Sequence, residues 1–148
     1  MKVNPSTIAV RNLQRKVTMD VVDLEKFSTR ALELCLQLPR KKKSDSQQLH
    51  AIFVLIVSDR KMAALHRQFM NETGPTDVIT FQHGEIFISA ETARRNARRF
   101  KNTLARELRL YVVHGLLHLH GFDDRTRAGA KKMESMQRKI LAQVSCLK

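Results

Sequence analysis

The seven residues Ala51-Ile52-Phe53-Val54-Leu55-Ile56-Val57 carry no polar side chain and are rich in β-branched types. An alternating strand shows one face to water; an unbroken apolar run reads as a central strand buried on both faces. The surrounding chain has 148 residues, the length of one domain or little more. Its hydrophobic share of 43% is enough for a core and too high for a disordered tail. The sequence has no stretch of eighteen apolar residues, so no transmembrane helix is expected. The first sixteen residues lack the apolar segment and small-residue cleavage site of a secretory signal. Cys35 and Cys146 are too few for a disulfide scaffold, and neither sits in a CxxC pair. The expectation is a soluble, reduced, cytoplasmic domain with no membrane partner.

Lysine and arginine together number 27 against 14 acidic residues, a formal net charge of +13. Such a field attracts polyanions, and counterion release makes that binding favourable and salt-sensitive. No basic helix carries the Trp/Phe face of an interfacial anchor, which favours nucleic acid over a lipid surface. The run Arg40-Lys41-Lys42-Lys43, in a polar stretch reaching Gln48, reads as an exposed loop.

Around the central strand the pattern alternates between helix and strand. Thr7–Val10 is a short strand. Val21, Leu24, Phe27, Ala31, Leu34 and Leu38 recur at helical spacing, with Thr18 or Asp20 as cap and Pro39 as stop. Ser58 and Asp59 can cap a helix reaching about Met70. Val78–Phe81 and Glu85–Ser89 are two short strands, and Gln82-His83-Gly84 between them suits a tight antiparallel hairpin. A helix beginning at Ser89 puts Ala93, Ala97 and Phe100 on one stripe. Arg94, Arg95, Arg98 and Arg99 lie on the other side, a face that suits phosphate contacts or is merely solvated. Leu104 to about His120 is the most apolar helix and should lie against the sheet, with Gly121 as its stop. A last amphipathic helix, about Arg127 to Val144, has Met133, Met136, Ile140 and Val144 on one stripe.

The chemistry concentrates at the end of the apolar helix. His114 and His118 are four residues apart, so both imidazoles project from the same side. Two imidazoles at this spacing can hold two corners of one metal ion's shell, and each otherwise needs a partner in low dielectric. A carboxylate beyond the helix-ending glycine can return as third ligand. Asp123 and Asp124 are both available, their plainer role being a turn or a cap for the next helix. Two histidines and one carboxylate leave a position open to water, which a divalent ion would activate. A zinc peptidase of the HExxH type needs Glu directly after the first histidine; here Gly115 stands there.

The stretch from His114 to Asp124, HGLLHLHGFDD, resembles the HGxLHLxGxDH signature of the YbeY family. Pro75-Thr76-Asp77-Val78-Ile79-Thr80-Phe81 is similar to that family's PTDVLSF segment, and Gly84–Ser89 to its GDIxIS strand. Glu107-Leu108 matches an acidic–apolar pair upstream. The resemblance covers about Leu65 to Asp124. It implies an α+β fold in a single domain over 1–148: a small mixed sheet of about four strands with about five helices and a metal site at the end of a central helix. It also implies a metal-dependent, single-strand-specific endoribonuclease of rRNA maturation and ribosome quality control, with zinc as the usual metal and small-subunit components as partners.

Three positions depart from the family pattern. Asp124 stands where the third metal-binding histidine is usual; carboxylate oxygen also binds zinc, and the swap favours harder ions such as Mn²⁺. Met70 stands where an arginine precedes the PTDV proline by five residues, with Arg67 one turn earlier as a substitute cation. The hairpin loop is shorter than in most members, which narrows the cleft wall. The implied metal ligands are therefore His114, His118 and Asp124, and the RNA-contacting residues Arg67, Arg94, Arg95, Arg98 and Arg99. Glu107, seven residues before His114, reads either as a group orienting a ligand imidazole or as a helix N-terminal charge. His66, His83 and His120 read as surface residues, His120 pointing away from the His114/His118 face. The rival function is a non-catalytic, ribosome-associated RNA-binding factor with a structural metal.

Overall fold

A computed structural model describes residues 7–39 and 51–146; the basic run Arg40–Lys43 lies outside the described residues. The elements are β1 (Thr7–Asn12), α1 (Val21–Leu36), β2 (Ala51–Val57), α2 (Asp59–Met70), β3 (Val78–Phe81), β4 (Glu85–Ser89), α3 (Ala90–Arg99), α4 (Leu104–Leu119) and α5 (Arg127–Cys146). The strands form one mixed sheet in the order β1-β2-β4-β3. β1 and β4 flank β2 in parallel, and β3 closes the edge antiparallel to β4. This is the α+β arrangement expected from the sequence.

β2 is central, but its two faces are not equally covered. Ile52, Val54 and Ile56 have no exposed surface and face α1, α4 and α5 together with Ile86 and Ile88 of β4. Each such side chain is worth about 1.5–3 kcal/mol of burial. Phe53 and Leu55 on the other face are only half-buried. There α2 covers a smaller cluster of Val57, Met62, Leu65, Ile79 and Phe87. The expectation of a strand sealed on both faces is corrected: one short amphipathic helix cannot cover a sheet that three helices cover on the opposite side.

Helices α1 to α4 each start on a side-chain cap. Asp20, Ser58, Ser89 and Thr103 accept from the backbone N–H groups of Asp23, Lys61, Thr92 and Arg106. On α1 the buried stripe runs Leu24, Phe27, Ala31 and Cys35, while Val21 and Leu34 stay half-exposed at its margins. On α3 Ala93 and Ala97 are buried, but Phe100 is 60% exposed, against the expected stripe. The helix has ended there: Lys101 takes a left-handed φ of 56° and reverses the chain, so Phe100 swings outward under the Arg99 guanidinium.

Gly115 explains how closely α4 lies on the sheet. A Cβ there would meet side-chain atoms of Ile86 at 2.8 Å. The residue that denies the chain a peptidase base is thus also the one that lets helix and strand approach.

Candidate metal centre

The C-terminal end of α4 is shaped by a Schellman turn. Gly121, at φ 101°, donates to the His118 carbonyl, and Phe122 donates to the Leu117 carbonyl. The reversal brings the segment after the helix back over its last turn. Asp123 and Asp124 then separate in role. Asp123 Oδ1 accepts from the Arg125 N–H at 3.2 Å, in a turn leading to α5. Asp124 faces the histidines.

His114, His118 and Asp124 each offer a ligand atom, all within 4.8 Å of one another. The two Nε2 atoms are 3.0 Å apart. Asp124 oxygens lie 3.9 Å from His114 Nε2 and 4.0 Å from His118 Nε2. A tetrahedral ion with bonds of about 2.1 Å needs ligand atoms about 3.4 Å apart. The observed separations bracket that value, so the donor set fits a divalent ion.

The protonation pattern suits the same task. Burial, reinforced by the neighbouring His114, pushes the His118 imidazole below its ordinary value, and this outweighs the upward pull of Asp124 and of a hydrogen bond to the Phe122 carbonyl. The ring is therefore held neutral, the form that binds metal. His114 Nδ1 donates to Gln137 Oε1 at 2.5 Å. That bond fixes the proton on Nδ1 and leaves the Nε2 lone pair facing the centre. Gln137 comes from α5, 23 residues away in sequence. Nothing in helical spacing singles it out; the one usable signal is that α5 must pack against α4.

A cavity of about 210 Å³ opens beside the two histidines. Its other walls are Met70, the β3 residues Val78, Ile79 and Thr80, and Gln82 of the hairpin turn. The volume is several waters' worth, enough for a solvent molecule and part of a substrate. Met70, at the position where the family pattern has arginine, therefore reaches the cavity itself.

The other expected site residues fare differently. None of Arg67, Arg94, Arg95, Arg98 and Arg99 is among the described residues that line the cavity. Arg98 and Arg99 are exposed and Arg94 is half-buried. Arg95 does not present a free guanidinium: it pairs with Asp59 at 2.7 Å and also donates to Thr92. Asp59 collects Ser89, Thr92 and Arg95 as donors, which together hold its carboxyl below the ordinary value although burial alone would raise it. Glu107 is buried, with the Asn102 amide donating to it at 2.9 Å. Its neighbour one turn on is Tyr111, whose hydroxyl burial and Glu107 push above its ordinary value. This network sits at the start of α4; the group bonded to His114 Nδ1 is Gln137.

The surface assignment of His120 is corrected. It is 1% exposed, its Nε2 lies 2.9 Å from the Leu38 carbonyl, and its ring stacks on Phe122. Two residues on from His118 it points to the opposite side of the helix, which here is the core. His83 is exposed as expected, and His66 is half-buried with Nδ1 2.9 Å from the Gly74 carbonyl. Among the described residues no helix is long and apolar enough to cross a membrane.

Comparison with known proteins bears on this geometry. The family model described as Endoribonuclease YbeY matches residues 9–145. An Endoribonuclease YbeY of Acholeplasma laidlawii is 33% identical over 124 residues, covering 78% of this chain and 88% of its own length. One from Phocaeicola vulgatus is 36% identical over 101 residues, covering 64% and 73%. One from Thermotoga maritima is 37% identical over 98 residues, covering 62% and 65%. A solution structure of a Thermotoga maritima protein has a TM-score of 0.63 at 29% identity, covering 93% of this chain and 89% of that one. With a match that runs from β1 to the end of α5 and a fold shared with a solved relative, this chain belongs to the Endoribonuclease YbeY family of hydrolases acting on RNA.

Proposed function

We propose that this chain, residues 1–148 acting as one domain, is a metal-dependent, single-strand-specific endoribonuclease of rRNA maturation and ribosome quality control. It works in the cytoplasm beside components of the small ribosomal subunit. The observation that carries the reading is the convergence of His114, His118 and Asp124 beside a water-accessible cavity.

These three residues would hold one divalent ion, with zinc as the first assignment. Bound there, the ion supplies Lewis acidity toward a phosphoryl oxygen and lowers the pKa of a coordinated water. The chain's own groups do the rest. Gln137 keeps the His114 proton on Nδ1. Thr80 and Gln82, on the cavity wall, bring a hydroxyl and an amide within reach of phosphate oxygens. Arg94, Arg98 and Arg99 contribute the outer positive field that draws an RNA backbone in, with Arg67 on α2 adding to it. Arg95, tied to Asp59, contributes less.

Met70 favours a second reading, a ribosome-associated RNA-binding factor whose metal is structural, because a neutral thioether replaces a cation at the cavity wall. One experiment separates the two. The first reading expects cleavage of single-stranded RNA that EDTA stops and His114→Ala abolishes. Salt-sensitive RNA binding with no cleavage would establish the second.

A further inference from the structure

Side chains on β3 alternate across the sheet edge. Thr80 and Gln82 line the cavity beside His114 and His118, while Phe81 between them packs toward α2. On that side the Phe81 ring is stacked with His83, with centroids 5.6 Å apart and planes 20° apart. Phe69 meets Phe81 edge-on at 5.1 Å. Glu85 Oε1 holds the His83 ring through Nε2 at 2.5 Å. Phe69 is 56% exposed and Met70, the next residue, 47% exposed. The cluster, with Phe69 and His83 exposed and Phe81 half-buried, is formed by residues next in sequence to Met70 and Gln82, which line the wall of the metal centre's cavity. Scattered apolar residues on a surface need no explanation, but joined aromatic rings at the mouth of a site do.

The partner must be flat, aromatic and attached to a polyanion, because the chain as a whole carries +13. A nucleobase of single-stranded RNA meets both conditions: any base has a π-face that stacks on aromatic side chains, and in a duplex that face is hidden. We propose that Phe69, Phe81 and His83 form a stacking platform for a nucleobase next to the phosphate at the His114/His118/Asp124 centre, on a single strand lying across the β3 edge. The proposal rests on the RNA reading above and adds to it the physical origin of a preference for unpaired strands.

The test compares two probes of equal phosphate number, a 2′-methoxy oligouridylate and its abasic counterpart, by fluorescence anisotropy on the intact chain. The wild type is expected to bind the base-bearing strand about tenfold more tightly. Phe69→Ala with His83→Ala should erase that preference and leave abasic-strand affinity, metal content and melting temperature unchanged. His83→Ala alone, at a largely exposed ring, serves as the second variant and should lower the preference by itself. A preference that survives both variants, with RNA cleavage intact, overturns the platform and leaves the nuclease reading standing. A wild type that binds neither strand and cleaves no RNA overturns both. Sedimentation as a dimer that the double variant dissociates would make the patch an interface between copies, and would equally overturn the platform.

Discussion

His118 and His120 are two residues apart on the same helix turn and carry opposite loads. The His118 side chain keeps 24% of its surface open, faces a cavity, and is held neutral next to His114. His120 is 1% exposed, bonded to the Leu38 carbonyl and stacked on Phe122. The cavity side of α4 spends little of the fold's stability, so it is free to hold groups chosen for chemistry. The core side, with Gly115 and Leu116 against the sheet, is constrained by packing. The comparison teaches that imidazoles in one apolar helix must be sorted by which side has room for water.

The sharpest way to break that comparison is to exchange consequences between the two rings. His118→Ala is expected to abolish stoichiometric metal binding and lower RNA cleavage by roughly a hundredfold or more, a larger loss than removal of an outer support. Its melting temperature should scarcely move, as calorimetry would show. Gln137→Ala leaves all three ligands in place but frees the His114 tautomer. Metal affinity should fall about 10–100-fold, read by competition with a chelating dye.

On the core side the effect moves from function to stability. His120→Leu leaves the Leu38 carbonyl without its imidazole and should cost about 1–3 kcal/mol in denaturant unfolding. Metal content should stay at the wild-type level. Met70→Arg sharpens the cavity side instead: a cation at the wall should raise RNA affinity and cleavage several-fold at low salt, with the gain shrinking as salt rises.

The smallest effect lies away from α4. The Asp59 carboxyl is held below its ordinary value of 3.8 by Arg95, Ser89 and Thr92 against the upward pull of burial. A carboxylate depressed by folding stabilises the protein above its unfolded pKa and loses that contribution as pH falls through the folded one. Asp59→Asn should therefore flatten the acid limb of melting temperature against pH below about 4.

Much of this was legible in the residues. The apolar run at 51–57 marked the central strand, the hairpin fell where Gln82-His83-Gly84 put it, and i, i+4 spacing plus a helix-ending glycine brought His114, His118 and Asp124 to one place. The misses share one physical cause. Helical periodicity names a face but not what packs against it. The partners of His120, Arg95 and His114 are Leu38, Asp59 and Gln137, separated from them by 82, 36 and 23 residues. Helical spacing put the arginines on one face, suited to phosphate or merely solvated, yet Arg95 pairs there with the partly buried Asp59, a carboxylate that needs donors.

The most direct test is nitrogen NMR of the side-chain imidazoles during zinc titration of the untagged chain. The Nε2 resonances of His114 and His118 should shift together and saturate at one equivalent, while His120 stays unmoved. Resonances of both rings that ignore zinc, or a response at His120 equal to theirs, would contradict a metal centre built from His114, His118 and Asp124.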